Sequence, residues 1–279
     1  MEFTINCTRV PIPQGTTLYG IPVEVGPAPA SPGSVSYLGA SFGDSNDGAV
    51  LNRFRQAAPD TKEPVPKPLR NCVFNHRDNT IISSFNTRTL TFQGRLAELT
   101  NNATMQNIDV IAVQEHRFYH PNNTIKYHTI ESYNLITSSS HKNSSNASIG
   151  GVGFLLSPRA LNNLLSVESI SQRILVIELS GNPKTTIICV YSPHNSSPID
   201  EVEQFYETLK QTIEQIPLHN FLVIAGDFNA QLGSEDVKFA FNPETNRNGE
   251  LLKDLLNEFN LFSSNNNFMK PSGQLWTFK

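Results

Sequence analysis

Phe221-Leu222-Val223-Ile224-Ala225-Gly226-Asp227-Phe228-Asn229-Ala230 is the stretch that decides the fold of this chain. Five apolar residues in a row, closed by a glycine, predict a strand covered on both faces, as at the centre of a layered α/β protein. Just past it the character changes, and Asp227 and Asn229 put a carboxylate and an amide into the turn. Open α/β sheets place their ligand sites at such strand ends. A lone carboxylate there is an ordinary turn former or helix cap, so the stretch gains meaning only from its neighbours.

The same pattern occurs twice upstream. Ile81-Ile82-Ser83-Ser84-Phe85-Asn86 reads as a strand ending in Asn86, and Arg95-Leu96-Ala97-Glu98-Leu99 opens a helix. Asp109-Val110-Ile111-Ala112-Val113-Gln114-Glu115 then reads as a second strand with Glu115 at its end. Residues 151–157, 174–179 and 185–191 are three further strand-like runs, and their order predicts a mixed sheet. Ile199, Val202, Phe205, Tyr206, Leu209 and Ile213 recur at helical spacing between Pro198 and Pro217. Leu251, Leu252, Leu255, Leu256 and Phe259 predict a last helix, starting after Asn248-Gly249. Three polar groups at successive strand ends point to a shared site. Hard oxygen donors of this kind suit Mg²⁺ or Mn²⁺, which keeps several waters and takes the rest of its shell from a phosphate.

Composition sets the bounds. The chain has 279 residues, of which 38% are hydrophobic and 16% charged, enough for one globular domain with a surplus. The surplus lies at the start, where residues 1–70 hold 10 of the 18 prolines and 7 of the 16 glycines. Residues 1–78 are therefore expected to form a disordered arm, with 79–279 as the folded domain. A net charge of −4 and a pI of about 6.0 exclude a large basic surface, so any polyanion site must be local or metal-centred. No apolar run approaches the roughly 20 residues that span a bilayer, and the first residues carry no secretory signal. The expectation is an intracellular protein, nuclear or cytoplasmic, not secreted and without a membrane partner. Cys7, Cys72 and Cys189 lack metal-type spacing and read as reduced thiols, with Cys189 buried in a strand.

Phe85-Asn86, Val113-Gln114-Glu115, Val190-Tyr191-Ser192-Pro193 and Gly226-Asp227-Phe228-Asn229-Ala230 stand in one order across residues 80–279. Through them the sequence resembles the endonuclease/exonuclease/phosphatase superfamily. The text around Asn86-Thr87-Arg88-Thr89-Leu90 and Asn248-Gly249-Glu250-Leu251-Leu252 looks most like the endonuclease domains of non-LTR retrotransposons and their host-encoded relatives. The resemblance implies a four-layered α/β sandwich of two mixed sheets flanked by helices. It implies a Mg²⁺-dependent phosphodiester hydrolase with DNA as substrate. Glu115 would be the metal ligand, with Asn86 orienting it. Asp227 would handle the attacking water or leaving oxygen, Asn229 would bind a phosphate oxygen, and Tyr191 would donate its phenolic proton to developing charge. Arg88, Arg117 and Arg173 are possible substrate contacts, and a surface role is as good a reading for each. His116 follows Glu115, but adjacent strand residues face opposite ways, so it is left out of the metal site.

Members of the superfamily continue into closing strands, an Asp and an Asp-His pair. This sequence ends at Leu275-Trp276-Thr277-Phe278-Lys279, and the expectation is a sheet incomplete at its C-terminus and a chain of little activity by itself. Two other functions stay open: an inactive remnant that binds a partner, and a phosphatase or phosphodiesterase for lipid or small phosphoesters.

Overall fold

The computed structural model describes residues 4–9, 80–267 and 269. In chain order the elements are β1 (Thr4–Arg9), β2 (Ile82–Asn86), α1 (Arg95–Met105), β3 (Val110–Gln114), β4 (Lys126–Ile130), β5 (Tyr133–Thr137), β6 (His141–Lys142) and β7 (Ser148–Ile149). There follow β8 (Val152–Leu156), α2 (Pro158–Asn162), β9 (Leu164–Ser171), β10 (Ile174–Leu179), β11 (Thr185–Tyr191), α3 (Ile199–Glu214), β12 (Phe221–Asp227), α4 (Arg247–Glu258) and β13 (Phe262–Ser263). One sheet has the order β13-β1-β12-β11-β10-β9, a second β2-β3-β8-β5-β4, and β6 pairs with β7 in a small ribbon. Both large sheets are mixed, as expected, because β11 runs parallel to β12 and β2 parallel to β3 while their other pairs are antiparallel.

The period-two alternation of strand side chains builds three apolar layers. From β11 and β12, Ile188, Val190, Leu222 and Ile224 face the helix side, where Val202, Phe205, Leu209, Leu252 and Leu255 of α3 and α4 cover them. The opposite faces present Ile187, Cys189, Val223 and Ala225 to Val110, Ala112, Ile136, Val152 and Phe154 of the second sheet. Beyond that sheet, Ile111, Val113, Leu135 and Leu155 pack on Leu99 and Ala103 of α1. The result is the helix–sheet–sheet–helix sandwich expected from the sequence. It also explains the unbroken apolar run of β12: each face meets a different layer.

Two devices align the strand ends. The buried Asp109 carboxylate accepts from the Ile81 N–H, the Ser157 hydroxyl and the Arg159 guanidinium, tying the starts of β2 and β3 to the end of β8. With that register Asn86 lies opposite Gln114. In the other sheet Tyr191 lies opposite Asp227. Gly226 lets β12 approach β11 so closely that a Cβ there would fall on the Val190 carbonyl oxygen.

Two sequence expectations need correction. The arm over 1–78 is not wholly without structure, because Thr4–Arg9 forms β1 and inserts between β12 and β13. The signal was present in Thr4, Ile5 and Thr8, β-branched residues that suit a strand once a neighbouring edge offers hydrogen bonds. Residues 10–79 lie outside the described residues, as do 270–279, so the expected incomplete C-terminal edge and Cys72 fall there too. The last helix begins at Arg247, ahead of Asn248-Gly249, because Asn246 caps it by accepting from the Gly249 N–H at 2.8 Å.

Candidate active site

Asn86, Glu115, Tyr191 and Asp227 leave four different strands at the same end of the sandwich, where the two sheets meet. One side chain joins three of them: the Asn86 amide donates to Glu115 Oε1 and to Asp227 Oδ2, each at 3.0 Å. The second of these bonds crosses from one sheet to the other. The Asn86 carbonyl oxygen accepts from the Arg88 N–H, which fixes the side-chain orientation. Glu115 is 7% exposed and Asp227 fully buried, so the two carboxylates face each other in a nearly dry setting. A buried carboxylate requires a counter-charge or a full set of donors. Arg117 meets that need on one side, donating from its guanidinium to Glu115 Oε2 at 3.0 Å, while its own Nε is buried and unpartnered.

Asp227 is held on its other oxygen by the Asn229 N–H at 3.0 Å, and the Asn229 amide donates to the Ser192 carbonyl oxygen at 2.9 Å. The strand-end turn thus turns Asn229 back toward the end of β11, while Phe228 between them is buried in the helix-side core. Tyr191 is 6% exposed, with the Arg173 guanidinium 5.6 Å from its ring centroid. Arg173 also donates to the Tyr191 carbonyl oxygen and pairs with Glu201 at 2.8 Å. Of the expected arginines, then, Arg117 contacts a site carboxylate, Arg173 braces Tyr191, and Arg88 contributes its backbone N–H to Asn86 while its side chain is exposed.

The backbone is unusual at the same place. Among the described residues the non-glycine positions with positive φ include Arg88 at 55°, Glu115 at 54°, Arg117 at 62° and Asn229 at 46°. For Arg and Glu this conformation costs free energy, and such residues collect at functional sites.

His116 lies beneath the site, not in it. Its Nε2 donates to the Val152 carbonyl at 3.2 Å and its Nδ1 accepts the Phe118 N–H at 3.0 Å, which satisfies a neutral ring. Burial pushes its pKa down to about 3. The His120 ring stacks on it and the His128 ring lies beyond, both also shifted down by burial, with charge on Lys126 adding to the effect. No sequence pattern announced this stack, because it is assembled from a loop and an edge strand. Cys189 is buried as expected, its thiol pushed up to about 12 by burial.

Among the described residues no three His, Cys, Asp or Glu side chains come together as a ready metal cage. Two buried carboxylates converging on one amide nevertheless fit a hard divalent cation, which needs only one or two carboxylates from protein. The donor set is all oxygen, as Mg²⁺ or Mn²⁺ requires. No helix of the described residues is long and apolar enough to cross a membrane.

Residues 82–250 match the model of the Endonuclease/Exonuclease/phosphatase family, and the chain belongs to that family. It is 26% identical over 258 residues to craniofacial development protein 2 of Tragulus javanicus, covering 90% of this chain and 42% of that protein. The corresponding protein of Bos taurus is 29% identical over 134 residues, 46% of this chain and 22% of that one. The chain spans less than half the length of these curated relatives. Among solved structures, a Neisseria 3′ phosphatase bound to product DNA hairpin is 17% identical, with a TM-score of 0.45 over 63% of this chain and 70% of that one. An AP endonuclease from Leishmania major is 13% identical, with a TM-score of 0.47 over 64% and 66%.

Proposed function

We propose that residues 79–279 form a divalent-metal-dependent phosphodiester hydrolase whose substrate is DNA, an endonuclease of retrotransposon descent. One observation carries the proposal: the Asn86 amide holds Glu115 and Asp227, from opposite sheets, as one acidic pair at the strand ends. The bridge brings carboxylate oxygens from both sheets to one point, and a hard divalent cation takes just such oxygen donors from protein. Glu115 is the residue to hold a Mg²⁺ or Mn²⁺ ion, which would neutralise the substrate phosphate and polarise its P–O bonds.

The chain's own groups do the rest. Asp227, fixed on one oxygen by Asn86 and on the other by the Asn229 N–H, keeps a constant direction toward the water or leaving oxygen. Tyr191 offers a phenolic donor to the phosphoryl oxygens as charge builds on them. Arg117 compensates Glu115 before substrate arrives. Asn229 and Ser192 hold the ends of β11 and β12 together, so that Tyr191 and Asp227 move as a unit.

The test is to incubate the full chain with supercoiled plasmid, an inositol phosphate and a sphingolipid phosphate, each with Mg²⁺ or a chelator. Slow nicking of the plasmid, in Mg²⁺ alone, is expected, in keeping with a chain of little activity by itself. Phosphate release from the small esters with the plasmid intact, or cleavage that survives chelation, would count against the proposal.

A further inference from the structure

At the rim of the site an aromatic ring faces solvent. Tyr119 is 47% exposed and lies two residues past Arg117, the partner of Glu115. Its neighbours on either side are held inward. Phe118 packs against the α1-side core, and the buried His120 donates its N–H to Ser139 Oγ while its Nε2 meets Thr137 Oγ1 at 2.9 Å. The backbone on both sides thus fixes the outward direction of Tyr119. The β6–β7 ribbon brings a cation to the same ring: Lys142 Nζ lies 5.0 Å from the ring centroid and donates to the Asn146 carbonyl oxygen at 3.1 Å. Asn143 closes the turn of the ribbon, its side-chain oxygen accepting from the Ser145 and Ala147 N–H groups. At its base the ribbon is tied to the site, because the Arg117 N–H donates to the Gly150 carbonyl and the Ser140 N–H to the Phe118 carbonyl. A Cβ on Gly150 would fall 3.8 Å from the Tyr191 ring. Arg117 and Gly150 therefore link the ring and the ammonium to Glu115 on one side and to Tyr191 on the other.

We infer that Tyr119 and Lys142 form a platform for an unpaired nucleotide of the DNA strand, the ring stacking on its base and the ammonium meeting its phosphate. A chain of net charge −4 holds a polyanion through a few placed contacts, and stacking supplies affinity that needs no further cations. A base inside a duplex has both faces covered by its neighbours, whereas an unpaired base has a face to offer. Every base has such a face, so the platform reads the unpaired state and not the sequence. The substrate class it selects is DNA with unpaired bases beside the cut, as in a bubble, a gap or a frayed junction. The inference rests on the proposed DNA substrate of the site.

The experiment measures binding by the full chain in a chelator, so that no cleavage is needed. The probes are two DNA duplexes of one sequence carrying 2-aminopurine, one fully paired and one with the fluorescent base inside a short bubble. Quenching of the bubble probe by the wild type is expected, with affinity about tenfold weaker in Tyr119→Ala and nearly restored in Tyr119→Phe. The fully paired probe should bind wild type and Tyr119→Ala alike, which also reports that the variant is folded. Lys142→Gln should lower the salt slope of bubble binding by about one. Equal losses on both probes, no loss on the bubble, or a Phe variant as weak as the Ala variant would overturn the inference, as would a bubble probe that the wild type does not bind. An unchanged slope in Lys142→Gln would overturn the part given to the ammonium. Binding that follows Tyr119 in a chain that cleaves no phosphodiester in Mg²⁺ would uphold the platform and overturn the proposed hydrolase.

Discussion

At the scale of single residues, Asn86 holds the site together, and the cost of losing it follows from what it touches. Asn86→Ala removes the donor shared by Glu115 and Asp227 and leaves two buried carboxylates facing each other. Cleavage by this variant should fall about 10- to 100-fold, with partial return at high Mg²⁺ as the cation takes over the amide's task. A rate within twofold of wild type would mean that the bridge is incidental. His116 gives a second residue-level expectation. Its folded pKa of about 3 lies below the ordinary 6.5, so between those values the unfolded chain binds the proton and the folded one does not. Stability is then complete above pH 6.5 and falls as pH drops toward 3, by up to about 1.4 kcal/mol per unit from this ring. Urea midpoints should therefore fall between pH 7 and pH 5, and fall less in His116→Phe. A flat profile would contradict the neutral buried ring. Glu115 and Asp227 were visible in the sequence because strand ends were. Arg117 was visible only as a cation, since the positive φ at Glu115 and Arg117 that folds it back cannot be read from residue order.

At the scale of elements, the parallel pairs β2–β3 and β11–β12 set where the site residues emerge. Gly226→Ala pushes β12 away from the Val190 carbonyl and shifts Asp227, which follows directly. Both melting temperature and cleavage should drop, whereas Leu209→Ala in α3 removes buried core volume and should cost about 2–5 kcal/mol of stability with kcat unchanged below the melting range. Thermal unfolding monitored by circular dichroism, alongside the plasmid assay, separates these two outcomes. The buried strands were legible as apolar runs. The edge hairpin β4–β5 and the strand β9 were not, because Lys126-Tyr127-His128-Thr129-Ile130 is partly solvent-facing and carries its polar residues out of phase with any apolar run. β1 was masked by its proline-rich surroundings, and its pairing with β12 and β13 is a tertiary contact that local composition does not encode.

At the scale of the whole molecule, the site exists only because two sheets meet with their parallel strand ends level. Neither sheet contains it alone: Asn86 and Glu115 belong to one, Tyr191 and Asp227 to the other. The net charge of −4 is consistent with a site that meets a phosphate through a cation and a few placed donors, with no broad basic face. The central claim is that the buried acidic pair cleaves DNA, and the most direct test is single-turnover cleavage of an end-labelled duplex by the 279-residue chain in Mg²⁺, wild type against Asp227→Asn. The expected result is slow cleavage by the wild type and none detectable from a variant with an unchanged circular dichroism spectrum. Equal rates in the two proteins would contradict the claim, as would a wild type that leaves the duplex intact in Mg²⁺ and Mn²⁺ alike.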